Sequence, residues 1–499
     1  MKLSKTDFLI YRECPHNAWL KVHVPEIYHA EPLSAFDLAL LETGNDVDVL
    51  ARELFPGGAI IDRGDAATTA RLIAERHLVL YQPVFETERY TTACDILQWN
   101  IATDVYDLYE VKASTDGDGK KSKNELYAHD LAFQAEVLRQ QGVPIGRLFI
   151  VRLKGAYIRG TELDIDQLFA IEDFTDTVAG IQDAVALEME TAHAILERTA
   201  PLPAPCNCIY KGRNAHCTTF AHTNPNVPAT SVHDITRIGM SKKKLAALID
   251  AGILAIENVP GDFELSEAQA NQVRAARSGR ASVDDVAIAE FLDGLSYPLA
   301  FLDYETYPAA IPRYPGYGPF HHIPFQFSLD VIDAPGAPMQ HHEFLHTEPS
   351  CPDEPLLEAL RHAMPASGSI ITWNKTFEKG VNDKLAARNP AASRFLADLN
   401  DRIVDLMDVF SSQAYVHPDF RGRTSIKAIL PVLVPKLSYK ALEIQEGATA
   451  TTRWNEMVTG EITADETAKL RAGLLAYCAL DTKAMVEIWR MLKRQSDGN

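Results

Sequence analysis

An α/β chain is predicted by three observations. Short apolar runs, LAFLDYE at 299–305, PFQFSLDVI at 324–332 and SIITWN at 369–374, alternate with longer stretches of helical periodicity. Strand and helix patterns also mix through the first 200 residues or so, and a Pro-rich break, TAPLPAPCNC at 199–208, ends that part. The 499 residues exceed what one core accommodates and imply two or three domains. The boundaries predicted are 1–225, a small helical connector at 226–295, and 296–499.

Composition limits the function classes. Apolar residues at 46% and charged residues at 23% describe an ordinary globular chain. Lys, Asp, Arg and Glu break the apolar positions of MKLSKTDFLIYRECPHNAWL before a secretory core can form, and no apolar run reaches bilayer length. A cytoplasmic protein without a membrane partner is therefore expected. Seven Cys in such a chain point to metal or redox chemistry rather than to disulfides. The formal charge of −20 opposes nucleic-acid binding overall, yet basic clusters stand at DGKKSKNE, YKGRNAH, GMSKKKL and FRGRTS. Metal-binding carboxylates would add negative charge that cations cancel.

In the first domain, TTACDILQWN (91–100) and VYDLYEVKAST (105–115) read as adjacent strands, the second with Glu110 and Lys112 on one face. HDLAFQAEVLRQQG (129–142) and LETGNDVDVLARELF (41–55) read as helices. Cys206, Cys208 and Cys217 cluster after this core, and Cys14 stands near the chain start; Cys94, Cys351 and Cys478 are expected to pack as small apolar residues. The connector, which includes ITRIGMSKKKLAALIDAGILAIENVP, reads as short helices around Gly turns. It is equally a spacer with a solvated Lys run or a unit that holds a nucleic-acid backbone.

In the last domain, LAFLDYE is a buried strand ending in Asp303 and Glu305, two residues apart and so on one face. Two carboxylates at that spacing repel unless a cation sits between them, and Mg²⁺ or Mn²⁺ is the natural partner. SIITWN is a strand followed by a helix beginning near Phe377 and Glu378. GLLAYCALDTKAMVEIWRML (473–492) is an amphipathic helix with Tyr477 and Asp481 four apart on one face.

These three motifs, in order, resemble the DEDD exonucleases of RNase H-like fold, in the branch whose third motif is Tyr-x-x-x-Asp. FLDYETYPAAIPRYPGYGPFHHIPFQFSLDVI, WNKTFEKG and TSIKAILPVLVPKLSYKALEIQEG resemble a bacterial family of uncharacterised proteins assigned to that fold. The resemblance implies metal ligation by Asp303, Glu305, Glu378 and Asp481, with Tyr477 positioning the attacking water; Glu378 stands where the second motif usually has Asp. The first domain resembles the PD-(D/E)xK nucleases of RecB and AddB type, with a restriction-endonuclease-like fold. That implies Asp95 and Glu110 as metal ligands, Lys112 on the water, and Gln134 as an auxiliary residue, with Leu138 where that group has Tyr and no His on the 41–55 helix. One early Cys and three late ones resemble that family's iron–sulfur staple. This implies a [4Fe-4S] cluster on Cys14, Cys206, Cys208 and Cys217, with Zn²⁺ in a Cys₄ site as the other occupant.

The function expected is a metal-dependent nuclease with two candidate sites, acting on DNA in preference to RNA, in repair, recombination or defence. The alternatives are a nucleic-acid-binding scaffold with degenerate sites and an RNA-trimming 3'-5' exonuclease.

Overall fold

Six strands build the sheet of the amino-terminal part, and they lie in the order in which the chain makes them. They are β1 (Ala59–Ile60), β2 (Val79–Tyr81), β3 (Ile96–Asn100), β4 (Val105–Thr115), β5 (Ile145–Leu153) and β6 (Phe169–Asp173). The computed structural model describes residues 1–118, 121–460 and 462–496; Gly119 and Lys120 of the basic stretch DGKKSKNE lie outside them. β3 and β4 pair antiparallel, whereas β4 and β5 pair parallel with Glu110 opposite Ile150.

Alternation along β4 divides the apolar side chains between two faces. Tyr106 and Leu108 pack with Leu131, Phe133 and Val137 of helix α4 (Lys121–Gln140) and with Met189 of helix α5 (Gln182–Leu196). Tyr109 and Val111 face the other way, onto Val47 and Ala51 of helix α3 (Ala35–Ala51). Glu110 and Lys112 therefore share the α4 side. Two short helices open the chain, α1 (Lys5–Glu13) and α2 (Pro15–His23), divided at Cys14 by extended backbone and the proline that starts α2. Helix α2 lies along the end of α5: His23 bonds Leu196 O at 2.7 Å and Trp19 Nε1 donates to Arg198 O at 2.9 Å.

The chain divides into two units. Met1–Ile209, Ala215–Pro225 and Ala309–His321 form one, and Tyr210–Asn214, Asn226–Pro308 and His322–Asn499 form the other. Residues 226–295, expected as a connector, group with the second unit, in which they keep a small core of Val232, Ile238, Leu245, Leu248, Ile256 and Val273. Two helices contribute to that core, α6 (Lys242–Asp250) and α7 (Glu267–Ser278), the latter opened by a Ser266–Gln269 capping box and closed by left-handed Gly279.

The larger sheet of the second unit has five strands among the described residues. In sheet order they are β9 (Gln340–Leu345), β8 (His321–Ile332), β7 (Leu299–Ala309), β10 (Ile370–Thr372) and β11 (Ile403–Asp405). β10 runs parallel to both of its neighbours. From β7, Leu302 and Tyr304 enter a core with Val381 and Leu385 of helix α8 (Lys375–Arg388). Phe301 lies on the opposite face, its ring 5.9 Å from that of Trp489 in the final helix α11 (Ala464–Ser496). Asp303 and Glu305 share the Phe301 face. Helix α8 starts two residues earlier than expected, because both carboxylate oxygens of Asp405 accept from the turn, at 3.0 Å from Asn374 N and 2.8 Å from Lys375 N. Those bonds satisfy backbone donors that a helix start leaves open. Among the described residues no helix is long and apolar enough to cross a membrane.

Candidate functional site

In the second unit, β7 and α11 bring the first and third motifs together. Gln326 Nε2 donates to Leu474 O at 2.8 Å and Ser328 bonds Thr482 at 2.7 Å, which sets how far α11 slides along the sheet. Asp303, Glu305 and Cys478 then have ligand atoms all within 4.8 Å of one another. A Cβ at Gly447, the first residue of helix α10 (Gly447–Thr459), would stand 3.6 Å from Tyr477 Oη and 3.9 Å from Glu305 Oε2. The Tyr477 hydroxyl and Glu305 thus border the same space.

Glu378 is 2% exposed in the first turn of α8, and its Oε2 has no hydrogen-bond partner. Burial, and then the charge of Asp303, push its carboxyl up to about 9. Burial and the Asp481 charge push Asp303 well above the carboxylate range, and burial with Asp303 and Asp481 does the same to Glu305. Burial raises Asp481 to about 6, against the lowering effects of Tyr439 and Lys427. Four acids that each resist ionisation want positive charge, and a divalent cation supplies it. The group at metal-ligand spacing is Asp303, Glu305 and the Cys478 thiol, and Glu378 and Asp481 are not in it; the two carboxylates suit a hard cation, and Glu378 Oε2 is unpartnered.

Three contributors were not singled out from sequence. Tyr439 donates to Asp481 Oδ1 at 2.5 Å. Lys427, in helix α9 (Ile426–Leu433), has its Nζ 5.4 Å from the ring centroid of Tyr477 and 5.6 Å from that of Tyr439. Cys478, expected to pack as an apolar residue, is fully buried, but its thiol lies 3.5 Å from Asp303 Oδ2. Cys94 does sit in the apolar core.

In the first unit, Asp95 precedes β3 and its Oδ2 accepts from Val111 N at 2.8 Å, which pins it beside Glu110. Glu110 Oε1 accepts from Lys112 Nζ at 2.7 Å and from Lys5 Nζ at 2.8 Å, and its Oε2 from Gln134 Nε2 at 2.7 Å. The four expected residues therefore meet. Asp130, one helical turn before Gln134, accepts from Lys112 at 2.5 Å and from Gln134 at 2.9 Å. Gln82 bridges Asp95 at 3.2 Å and Asp48 at 3.3 Å, so the 41–55 helix that lacks a His supplies an Asp. Leu138 is buried in the core. Burial raises Asp95 against Lys5 and Lys112, while Asp130 and Glu110 outweigh burial and raise Lys112. Here the lysines already neutralise the acids, and among the described residues no three acids of this site fall within metal-ligand spacing. Asp130 was legible from its i, i+4 spacing to Gln134; Lys5 and Asp48 had no local signal.

The third grouping is Cys14, Cys206, Cys208 and Cys217, all buried, unbridged and within 4.8 Å of one another. Asn17 Oδ1 accepts from Thr219 N at 3.2 Å and Oγ1 at 3.0 Å, which ties α2 to the Cys217 loop. Thr223 Oγ1 and Asn224 Nδ2 each lie 3.2 Å from Cys206 Sγ, and hydrogen bonding from Cys14 holds Cys206 below the thiol range and Cys208 down to about 7. The same mutual contacts push Cys14 and Cys217 above the thiol range, so the thiolate character that suits a metal ligand falls on Cys206 and Cys208. The 3.9 Å between Cys206 and Cys217 Sγ is close to the edge of a sulfur tetrahedron with metal–sulfur bonds of about 2.3 Å. A four-iron cube would need the sulfurs spread further.

A family model described as a domain of unknown function (DUF2779) matches residues 300–425, which include Asp303, Glu305 and Glu378 and end before Tyr477 and Asp481. No curated protein and no solved structure matches the chain.

Proposed function

We propose that the protein is a cytoplasmic metal-dependent nuclease whose principal site is the carboxylate group of the second unit, on an RNase H-like fold. One observation carries this reading: Asp303, Glu305, Glu378 and Asp481 are each pushed toward the protonated form by burial and, for the first three, by a neighbouring acid of the set, and Glu378 Oε2 has no partner. Such an arrangement is unfavourable by itself and becomes favourable around cations. These four residues would hold Mg²⁺ or Mn²⁺, which supplies a lowered water pKa and charge neutralisation on a scissile phosphate. Tyr477, kept protonated by burial and by Asp481, orients the attacking water through its hydroxyl. Tyr439 fixes the Asp481 carboxylate, and Lys427 adds positive charge beside it. DNA is the expected substrate, in repair, recombination or defence.

For the first unit, the reading is a PD-(D/E)xK site of Asp95, Glu110, Lys112 and Gln134 on a restriction-endonuclease-like fold, supported by the meeting of these four side chains. The pairing of Glu110 with both Lys5 and Lys112 favours a second reading there, a nucleic-acid-binding half with a closed site. The Cys₄ group holds a soft metal: the sulfur spacing favours Zn²⁺, and the family resemblance favours [4Fe-4S].

End-labelled DNA and RNA incubated with Mn²⁺ or with EDTA test the proposal. Mn²⁺-dependent shortening of DNA that Asp303→Ala removes is expected. Cleavage unchanged in an Asp303→Ala/Lys112→Ala protein would overturn it.

A further inference from the structure

Two basic stretches far apart in sequence, YKGRNAH and FRGR, meet the Arg237 turn in the second unit. Arg213 pairs with Asp234 and donates to Arg421 O at 3.2 Å, which neutralises the one and anchors the other. Gly422 makes the FRGR turn possible. Its φ is +65°, and a Cβ there would meet Asp234 O at 2.3 Å and the Gln272 amide at 2.8 Å. The turn is thus pressed onto the 234–272 scaffold, with Arg421 and Arg423 on either side of the glycine. Arg237 and Arg421 both adopt left-handed backbone, with φ of 54° and 49°, a conformation unusual for a side chain of this kind and concentrated at functional sites.

A cavity of about 320 Å³ opens here, with Arg237 and Arg423 in its lining beside Phe410, Tyr415 and Phe420. The Phe410 and Phe420 rings lie 5.8 Å apart and the Tyr415 and Phe420 rings 6.1 Å apart. Among the described residues, none of Arg237, Arg421 and Arg423 forms an ion pair. Partial burial and the Arg213 and Arg421 charges lower Arg423 against the raising effect of Asp234, as expected where cations outnumber the anion beside them.

The cavity is wired to the carboxylates. Trp373 Nε1 donates to Thr424 O at 3.0 Å and its ring stacks on Phe410 at 5.6 Å, and Trp373 leads into the helix that carries Glu378. Arg423 is four residues from Lys427, so their Cα atoms are at most about 14 Å apart. That is the rise of about four stacked nucleotides.

We propose that Arg237, Arg421 and Arg423 grip the phosphates of a single nucleic-acid strand whose end reaches the Asp303 site, with half-buried Tyr415 as the ring that meets a base. Guanidinium forks match phosphate oxygens and an aromatic face accepts any base, while buried Phe410 and Phe420 pack behind the surface and offer no stacking face. This rests on the nuclease reading for its geometry, but its test does not depend on cleavage.

The test measures anisotropy of a labelled single-stranded deoxyoligonucleotide with the full chain in EDTA, between about 50 and 200 mM salt. Parent, Arg423→Gln and the triple variant Arg237→Asn/Arg421→Asn/Arg423→Gln are compared; Asn is chosen because it tolerates left-handed backbone. Each lost phosphate contact lowers the slope of log K against log salt by about 0.7, so the triple variant should lose about 2 and the single variant about 0.7. The single variant changes an exposed side chain and keeps the test valid should the triple variant unfold. Slopes and affinities equal to the parent's overturn the proposal. So does arginine-dependent binding of a free mononucleotide with the oligonucleotide slope unchanged. Reduced slopes in a protein that never cleaves would leave this inference standing and the nuclease reading fallen; cleavage with unchanged slopes would do the reverse.

Discussion

The phenol of Tyr439 donates to Asp481 Oδ1 at 2.5 Å, so the third-motif carboxylate is held by a residue 42 positions upstream of it. A hydrogen bond to a charged group is worth about 1.5–3 kcal/mol, or roughly one to two pKa units. Tyr439 acts here to keep Asp481, already at about 6, from rising further.

Tyr439→Phe should therefore raise the Asp481 pKa and weaken metal binding most at the acid end. The carboxylate must be ionised to bind a cation, and a higher pKa leaves less of it ionised near pH 6 than near pH 8. Mn²⁺ titration should give about tenfold or more weaker binding at pH 6, with a much smaller loss at pH 8. Equal losses at both would assign Tyr439 a packing role only.

Glu378 gives a stability prediction with a definite sign. Its folded carboxyl sits at about 9, above the ordinary value of 4.5. Its stabilising contribution is thus full below about 4.5 and lost as pH rises through about 9. Metal-free protein should lose melting temperature between pH 6 and 9, and Mn²⁺ should restore it. Glu378→Gln should melt higher than the parent at pH 8 without metal, by roughly 2–4 °C for each kcal/mol relieved, while losing cleavage. A variant that melts lower would show that the acid was already paired.

Lys112→Ala should do the opposite in the first unit. Its ammonium bonds both Glu110 and Asp130, which are 2% exposed. Removing it leaves two buried acids with Lys5, 2.8 Å from Glu110 and 3.5 Å from Asp130, as their remaining cation, so the loss should be measurable by denaturant titration but below the about 3–5 kcal/mol of a fully stranded buried charge. Any cleavage that persists in Asp303→Ala should fall about 10²-fold or more with Lys112→Ala. Unchanged cleavage would leave the first unit as a binding half.

Cys14→Ser should empty the sulfur site and loosen helix α2, since Cys14 lies at its start and the other three thiols lie beyond residue 200. Elemental analysis of anaerobically purified parent should find one zinc, or about four irons with a brown colour, and the variant should hold neither. A parent without either metal would leave the cysteines as packing alone.

Within single elements the sequence was sufficient. The two-residue step from Asp303 to Glu305, that from Glu110 to Lys112, and the four-residue step from Tyr477 to Asp481 assign faces from backbone periodicity alone. The mixed α/β class followed from the same periodicities. Tertiary packing decided what those faces meet. Lys5 reaches Glu110 across 105 residues and Tyr439 reaches Asp481 across 42, and no local pattern marks either partner. The extent of α8 depended on Asp405, a cap supplied by another strand. Cys478 read as apolar until α11 packed on the sheet and turned its thiol to Asp303. Local dihedral preferences and side-chain periodicity act over one or two turns, whereas pairing between elements is set by register and core packing summed over the whole unit. The sequence alone thus determined which residues could share a face, and the fold decided that one carboxylate set is paired with lysines while burial and mutual repulsion hold the other toward its protonated form, with Lys427 opposing.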